Sequence, residues 1–241
     1  MTSPGSPKSL HEQRVARAEW TGGISAGPIY DAVWRILAPV ARGDALDFGA
    51  GIGTLAHRLA DAPAVRSVTA VDLATPAATG PTGIRWMAAD LNHSLAVQDA
   101  SFDTIVAVEI IEHLENPRAV AREWRRLLRP GGTLVVSTPN VESVRSLVSL
   151  AVRGQFAAFT APSYPAHITP LLAIDLRRVL EEAGFVDVRI GYSGDGRLPA
   201  MKVSWQRLSL GLLRGIRFSE DRKSTRLNSS HSEISRMPSS A

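Results

Sequence analysis

The stretch ALDFGAGIGTLAHRLADA, residues 45–62, narrows the choice of fold more than any other part of this chain. A short apolar run passes through a turn with glycine at 49, 51 and 53 and straight into a helical pattern. Glycine lets a backbone reverse sharply and lets a ligand approach without a Cβ in the way. The helix start behind such a turn offers N–H groups that have no partner within the helix. A strand that feeds a helix this directly predicts a βαβ unit and a parallel sheet.

The rest of the chain repeats that alternation. SVTAVDL, GIRWMAAD, SFDTIVAVE, GGTLVVSTPN and FVDVRIGYS read as the following strands. Helices are predicted over 54–62, over PRAVAREWRRLL with Pro117 in its first turn, over 141–154, and over AIDLRRVLEEAG closed by Gly184. Two more precede the first strand, at about 10–20 and 28–41, and a last one covers 203–217. The strands are apolar and β-branched without clean alternation, so both sheet faces should be covered. The expected fold is one doubly wound α/β domain, residues 10–220, behind a loose arm at 1–9.

Composition excludes some classes. There is no cysteine, which removes disulfides, thiolate metal ligands and cysteine nucleophiles. The start MTSPGSPKSLHEQR has no apolar signal core, and no run approaches the ~18 apolar residues of a membrane span. A cytoplasmic location is expected. The formal net charge of +4 would suggest nucleic acid, but part of it sits in residues 221–241. That Ser- and Arg-rich segment lacks periodicity and resembles the translation of a short-read sequencing adapter. Setting aside its four basic and two acidic side chains leaves +2, so no nucleic-acid partner is expected. The same reading treats 221–241 as a non-native tail and the natural C-terminus as missing.

An acid, Asp72, ends the second strand 19 residues beyond Gly53. An acid at about that distance from a glycine turn binds ribose hydroxyls, which points to an adenosine-bearing cofactor. The dinucleotide fingerprint needs a third glycine where this chain has Thr54, so a nicotinamide cofactor is disfavoured.

LDFGAGIGTLA, VDL, AADL, FDTIVAVEIIEHLENP, LLRPGGTLVVSTPN and HITPLLAIDLRRVLEEAGF occur in that order. Together they resemble class I S-adenosylmethionine-dependent methyltransferases over residues 42–190. The closest likeness is to the branch with the ubiquinone-pathway O-methyltransferases. The resemblance implies a Rossmann-like sheet with strand order 3-2-1-4-5. It implies that Asp47 and the turn of Gly49, Ala50, Gly51 and Gly53 hold the methionine end of the cofactor. Asp72 would bind the ribose, Leu73 would pack on adenine, and Asp90 and Leu91 would sit at the adenine edge. The family's antiparallel last strand lies between the fifth and sixth. Here RFSE stops where it should begin, so that strand is expected to be missing.

EIIEH, residues 109–113, closes the fourth strand at the edge where α/β sheets bind ligands. A helical turn there would put Glu109, Glu112 and His113 on one face. Three readings stand: Glu109 bonds the backbone beside the cofactor with His113 as pocket floor; His113 is a general base for an acceptor hydroxyl; or Glu109, Glu112 and His113 hold a divalent cation such as Mg²⁺ or Zn²⁺, with His167 as a fourth ligand. His167, in SYPAHITP, is also a candidate catalytic residue on the acceptor side. The acceptor is expected to be a small molecule or glycan methylated at oxygen. The competing readings are a non-catalytic cofactor-binding relative and an NAD-dependent oxidoreductase. Residues 202–217, apolar and basic, are a candidate peripheral membrane contact.

Overall fold

The computed structural model describes residues 27–75, 83–193 and, as backbone, 222–229. The elements run α1 (Gly27–Leu37), β1 (Gly43–Phe48), α2 (Thr54–Ala60), β2 (Val65–Asp72), β3 (Ile84–Ala88), β4 (Phe102–Val108), a 3₁₀ turn (Ile111–His113) and α3 (Pro117–Leu127). They continue with β5 (Leu128–Pro139), α4 (Val144–Arg153), α5 (Ala173–Glu182), β6 (Phe185–Ser193) and β7 (Arg222–Ser229). The helices expected at 10–20 and 203–217 lie outside the described residues.

Among the described residues the strands form one sheet in the order β3-β2-β1-β4-β5-β7-β6. The first five pair in parallel. Successive side chains of a strand point to opposite faces, and both faces are apolar here. In β4, Ile105 and Ala107 pack on one core, with Trp124 and Leu127 of α3 and Leu176 and Leu180 of α5. Val106 and Val108 pack on the other, with Val33 and Leu37 of α1 and Leu55 and Leu59 of α2. That division is why the strands showed no polar alternation.

Up to residue 220 the described residues supply six strands and none between β5 and β6, as expected; that antiparallel position is taken by the backbone of Arg222–Ser229, in the adapter-like tail. The adapter-like sequence of this segment, without an apolar pattern, predicts no strand. Two neighbouring strand edges supply a row of N–H and C=O groups, and backbone pairing asks only for an extended partner.

The amino edge of the sheet is held by charge. Asp44 bonds Arg66 and Ser67 and lies 3.0 Å from Arg129, which also contacts Asp103 at 2.5 Å. The Arg66 guanidinium above all, with the Ser67 hydroxyl, holds the Asp44 carboxyl well below its usual range. A lowered folded-state pKa gives stability that is present above the unfolded value, about 3.9, and is lost as pH falls. Asp44→Asn should therefore flatten the acid side of the stability profile below about pH 4. Urea midpoints across that range check this, and an unchanged acid slope would count against it.

Candidate active site

Every candidate residue from the first four strands sits at or just past their carboxyl ends. The turn after β1 is fixed by Gly49 N–H and Ala50 N–H donating to Val71 O, at 2.8 and 3.0 Å. Gly49 and Gly53 both have positive φ, 84° and 87°. A Cβ on Gly49 would stand 2.7 Å from Ile110, and one on Gly53 would stand 2.7 Å from the Trp86 ring. These two glycines are thus required by packing against the protein as well as by the bend.

Asp72 holds the same turn from the side. Its Oδ2 accepts from Gly51 N–H and its Oδ1 from Leu73 N–H, each at 2.7 Å. Burial raises its carboxyl, while those two N–H groups and the charge of nearby His113 oppose the rise. Asp47 is almost wholly buried beneath the turn. Burial pushes it up to about 7, against a hydrogen bond from Ala56 N–H and helped by the Asp72 charge. An acid with a raised folded-state pKa loses stability as pH climbs from its unfolded value, about 3.9, toward 7. Asp47→Asn should shrink that decline, to which the raised Asp72 carboxyl also contributes, measured as urea midpoints from pH 4 to 7; a decline equal to wild type would refute it.

Asp90 Oδ1 accepts from Asn92 N–H and from its side-chain amide, both at 3.0 Å, and Asn92 Oδ1 accepts from Glu115 N–H at 2.9 Å. The carboxylate therefore ties the turn after β3 to the loop after β4. Leu91 is buried in the core rather than at its surface.

The EIIEH segment departs from the helical turn expected of it. Glu109 is left-handed, φ 50°, so it leaves the face that Glu112 and His113 share. Its N–H donates to Ser137 O at 3.0 Å, and its Oε1 accepts from Ser137 Oγ at 3.0 Å. Only Ile111–His113 is helical, as a 3₁₀ turn. Glu112 is fully buried, and its Oε2 accepts from Thr138 Oγ1 at 3.0 Å. The sequence marks Ser137 and Thr138 only as two hydroxyls at the carboxyl end of an apolar strand, and the fold brings them to EIIEH.

A strap brings His167 to this place. Ile168 N–H and Thr169 N–H both donate to Glu112 O, at 2.9 and 3.0 Å, and Thr169 Oγ1 donates to Leu114 O at 2.7 Å. The rings of His113 and His167 meet edge to face with centroids 4.8 Å apart. His113 Nδ1 lies 2.9 Å from Ala166 O, and His167 Nδ1 lies 2.6 Å from Ala158 O. A carbonyl can only accept, so each Nδ1 carries a proton. In each neutral ring Nε2 is then the basic nitrogen. Ligand atoms of Glu112, His113 and His167 lie within 4.8 Å of one another, without Glu109.

A mostly parallel sheet in this order, with a glycine turn after β1 and an acid after β2, is the architecture of class I, Rossmann-like methyltransferases. A family model described as "Methyltransferase domain" matches residues 26–190, and the chain belongs to that family. It is a methyltransferase domain of the S-adenosylmethionine-dependent type. It is 33% identical over 162 residues to a Mycolicibacterium smegmatis protein named "Probable S-adenosylmethionine-dependent methyltransferase", covering 65% of this chain and 57% of that one. It is 28% identical over 194 residues to a ubiquinone biosynthesis O-methyltransferase of Albidiferax ferrireducens, covering 72% and 71%. The chain spans 57% to 61% of the length of the first curated relatives it matches. A crystal structure of an S-adenosylmethionine-dependent methyltransferase from Archaeoglobus fulgidus shares the fold at TM-score 0.57 and 17% identity, covering 90% of this chain and 97% of that one.

Proposed function

We propose that this protein transfers the methyl group of S-adenosylmethionine to a hydroxyl oxygen of a small-molecule or glycan acceptor. The observation that carries the choice of oxygen is the His113–His167 pair, each ring fixed by its Nδ1–H at the carboxyl edge of the sheet. The acceptor oxygen attacks the methyl carbon as the carbon–sulfur bond breaks, and S-adenosylhomocysteine leaves neutral. The acceptor's proton passes to His113 Nε2. No covalent protein intermediate is needed, because the sulfonium is already activated; the protein aligns the reactants and excludes water. Asp72 takes the ribose hydroxyls, Leu73 packs on adenine beside Asp90 with Leu91 backing that wall from the core, and Asp47 and the Gly49–Gly53 turn take the methionine end. Glu109 shapes the pocket wall through Ser137. His167 orients the acceptor against His113.

The experiment is a thermal-shift series with S-adenosylmethionine, S-adenosylhomocysteine and NAD, followed by mass detection of methylated products across hydroxyl, amine and carboxylate acceptors. Stabilisation by the first two with turnover only on hydroxyls supports the reading. Stabilisation without turnover favours the non-catalytic relative. Stabilisation by NAD alone refutes the cofactor assignment.

A second reading has its own support. Glu112, His113 and His167 fit a divalent cation, because histidine ligands commonly donate the other ring N–H to a carbonyl, as both do here. Two imidazoles and one carboxylate suit Zn²⁺ better than the Mg²⁺ expected from two carboxylates. When bound, such an ion would lower the pKa of the acceptor hydroxyl. Calorimetry with zinc chloride on wild type and Glu112→Gln decides it: binding that the substitution abolishes supports the ion, and no heat from wild type excludes it.

A further inference from the structure

His167 stands on the strap between α4 and α5, and its ring is held by a run of three consecutive residues. Ala157 N–H donates to Ser146 Oγ at 3.2 Å, which anchors the run to α4. Ala158 O accepts from His167 Nδ1–H at 2.6 Å. The Phe159 ring lies against the His167 ring, with centroids 5.4 Å and planes 55° apart. Phe159 N–H donates to Phe156 O at 2.9 Å and closes the run into a turn.

The chain then doubles back over this run. A 3₁₀ turn at Ala161–Ser163 is boxed by Thr160 N–H, which donates to Ser163 Oγ at 2.8 Å. His167 N–H donates to Ser163 O at 3.0 Å and returns the imidazole to the residues that cradle it. The His113 ring meets it edge to face at 4.8 Å. One hydrogen bond and two aromatic neighbours therefore fix the ring.

Ser146 ties the cradle to the body of the protein. It is 2% exposed, on the inward side of α4. A hydroxyl buried there needs a polar partner, and Ala157 N–H is one. Packing alone would be served as well by alanine. With Nδ1 committed to Ala158 O, Nε2 is the nitrogen left to meet a ligand.

We propose that Ser146 and Phe159 are positioning residues for His167, a role that rests on the reading of His167 as the residue that orients the acceptor. Ser146 acts through the Ala157–Ala158 peptide and Phe159 by direct ring contact. A misplacement of about 1 Å in an orienting group costs roughly 10²-fold in rate, so a buried hydroxyl remote from the reacting atoms has leverage on turnover.

The test joins a spectrum to a double-mutant cycle, both on the full chain. Side-chain proton–nitrogen correlation spectra in a chelator, at about pH 8 and so above the ordinary imidazole range, read the tautomer of each neutral histidine. His167→Gln assigns the His167 signals among the six histidines. Wild-type His167 should show the Nδ1–H form. Ser146→Ala and Phe159→Leu should each shift it toward a mixture of both forms, and Phe159→Tyr, which keeps the ring, should not. On a hydroxyl acceptor the first two variants should each lower kcat/KM roughly tenfold, the worth of one hydrogen bond or one ring pair. In a His167→Gln background the same changes should cost less than about twofold, because the group they position is gone.

Spectra unchanged in both variants overturn the proposal. So does a His167→Gln protein as fast as wild type, or full additivity with it, which would leave Ser146 and Phe159 only the folding of the strap. If Ser146→Ala does not fold, Phe159→Leu decides by the same two readings. The expected spectra without turnover on any hydroxyl would refute oxygen methylation and leave the cradle standing. Affinity for S-adenosylhomocysteine, expected unchanged in every variant, reports separately on the cofactor side.

Discussion

Replacing His113 with alanine is expected to lower kcat by roughly 10²–10⁴, the usual contribution of a positioned general base. The affinity for S-adenosylhomocysteine should change little. The ring also has a structural duty, because its Nδ1–H holds Ala166 O and with it the strap that carries His167. His113→Asn separates the two roles. An asparagine amide N–H can still reach toward that carbonyl, but the side chain has no basic nitrogen to take the acceptor's proton. Alanine and asparagine variants that are both slow, on the hydroxyl acceptor found in the panel, support proton transfer by His113. An asparagine variant within tenfold of wild type would leave His113 only the strap.

Asp72→Ala should weaken S-adenosylhomocysteine binding by roughly 10²–10⁴. A hydrogen bond to a charged group contributes about 1.5–3 kcal/mol, and the ribose diol offers two. The same substitution removes the acceptor of the Gly51 and Leu73 N–H groups, so the turn itself loosens. Asp72→Asn keeps one carbonyl oxygen for the turn and should retain part of the affinity. Titration calorimetry of the three proteins measures the order. If the alanine variant binds within tenfold of wild type, the ribose of the cofactor is held elsewhere.

Both residues were visible in the sequence, for different reasons. Asp72 was legible because a strand, a turn and an acid at fixed spacing are local features, and parallel strands bring the two carboxyl ends together. His113 was legible only as one of three ionisable groups at a strand end. Its grouping with Glu109 failed because a single left-handed residue turns that side chain toward Ser137. Nothing in the one-letter sequence marks Glu109 for that conformation. Gly49 and Gly53 were read as room for a ligand, yet their missing side chains also make room for Ile110 and Trp86, which arrive from other strands.

The sequence alone determined the doubly wound, mostly parallel sheet and the glycine turn and acid that meet at its carboxyl edge. Hydrophobic period and turn spacing act over a few residues and are written where they act. The tertiary structure alone decided which acidic and imidazole groups meet and which backbone fills the gap between β5 and β6. His167 reaches His113 through strap bonds to Glu112 O, and Arg222–Ser229 enters the sheet through backbone pairing. Main-chain donors and acceptors are the same in every residue except proline, so such contacts leave no signature in side-chain identity.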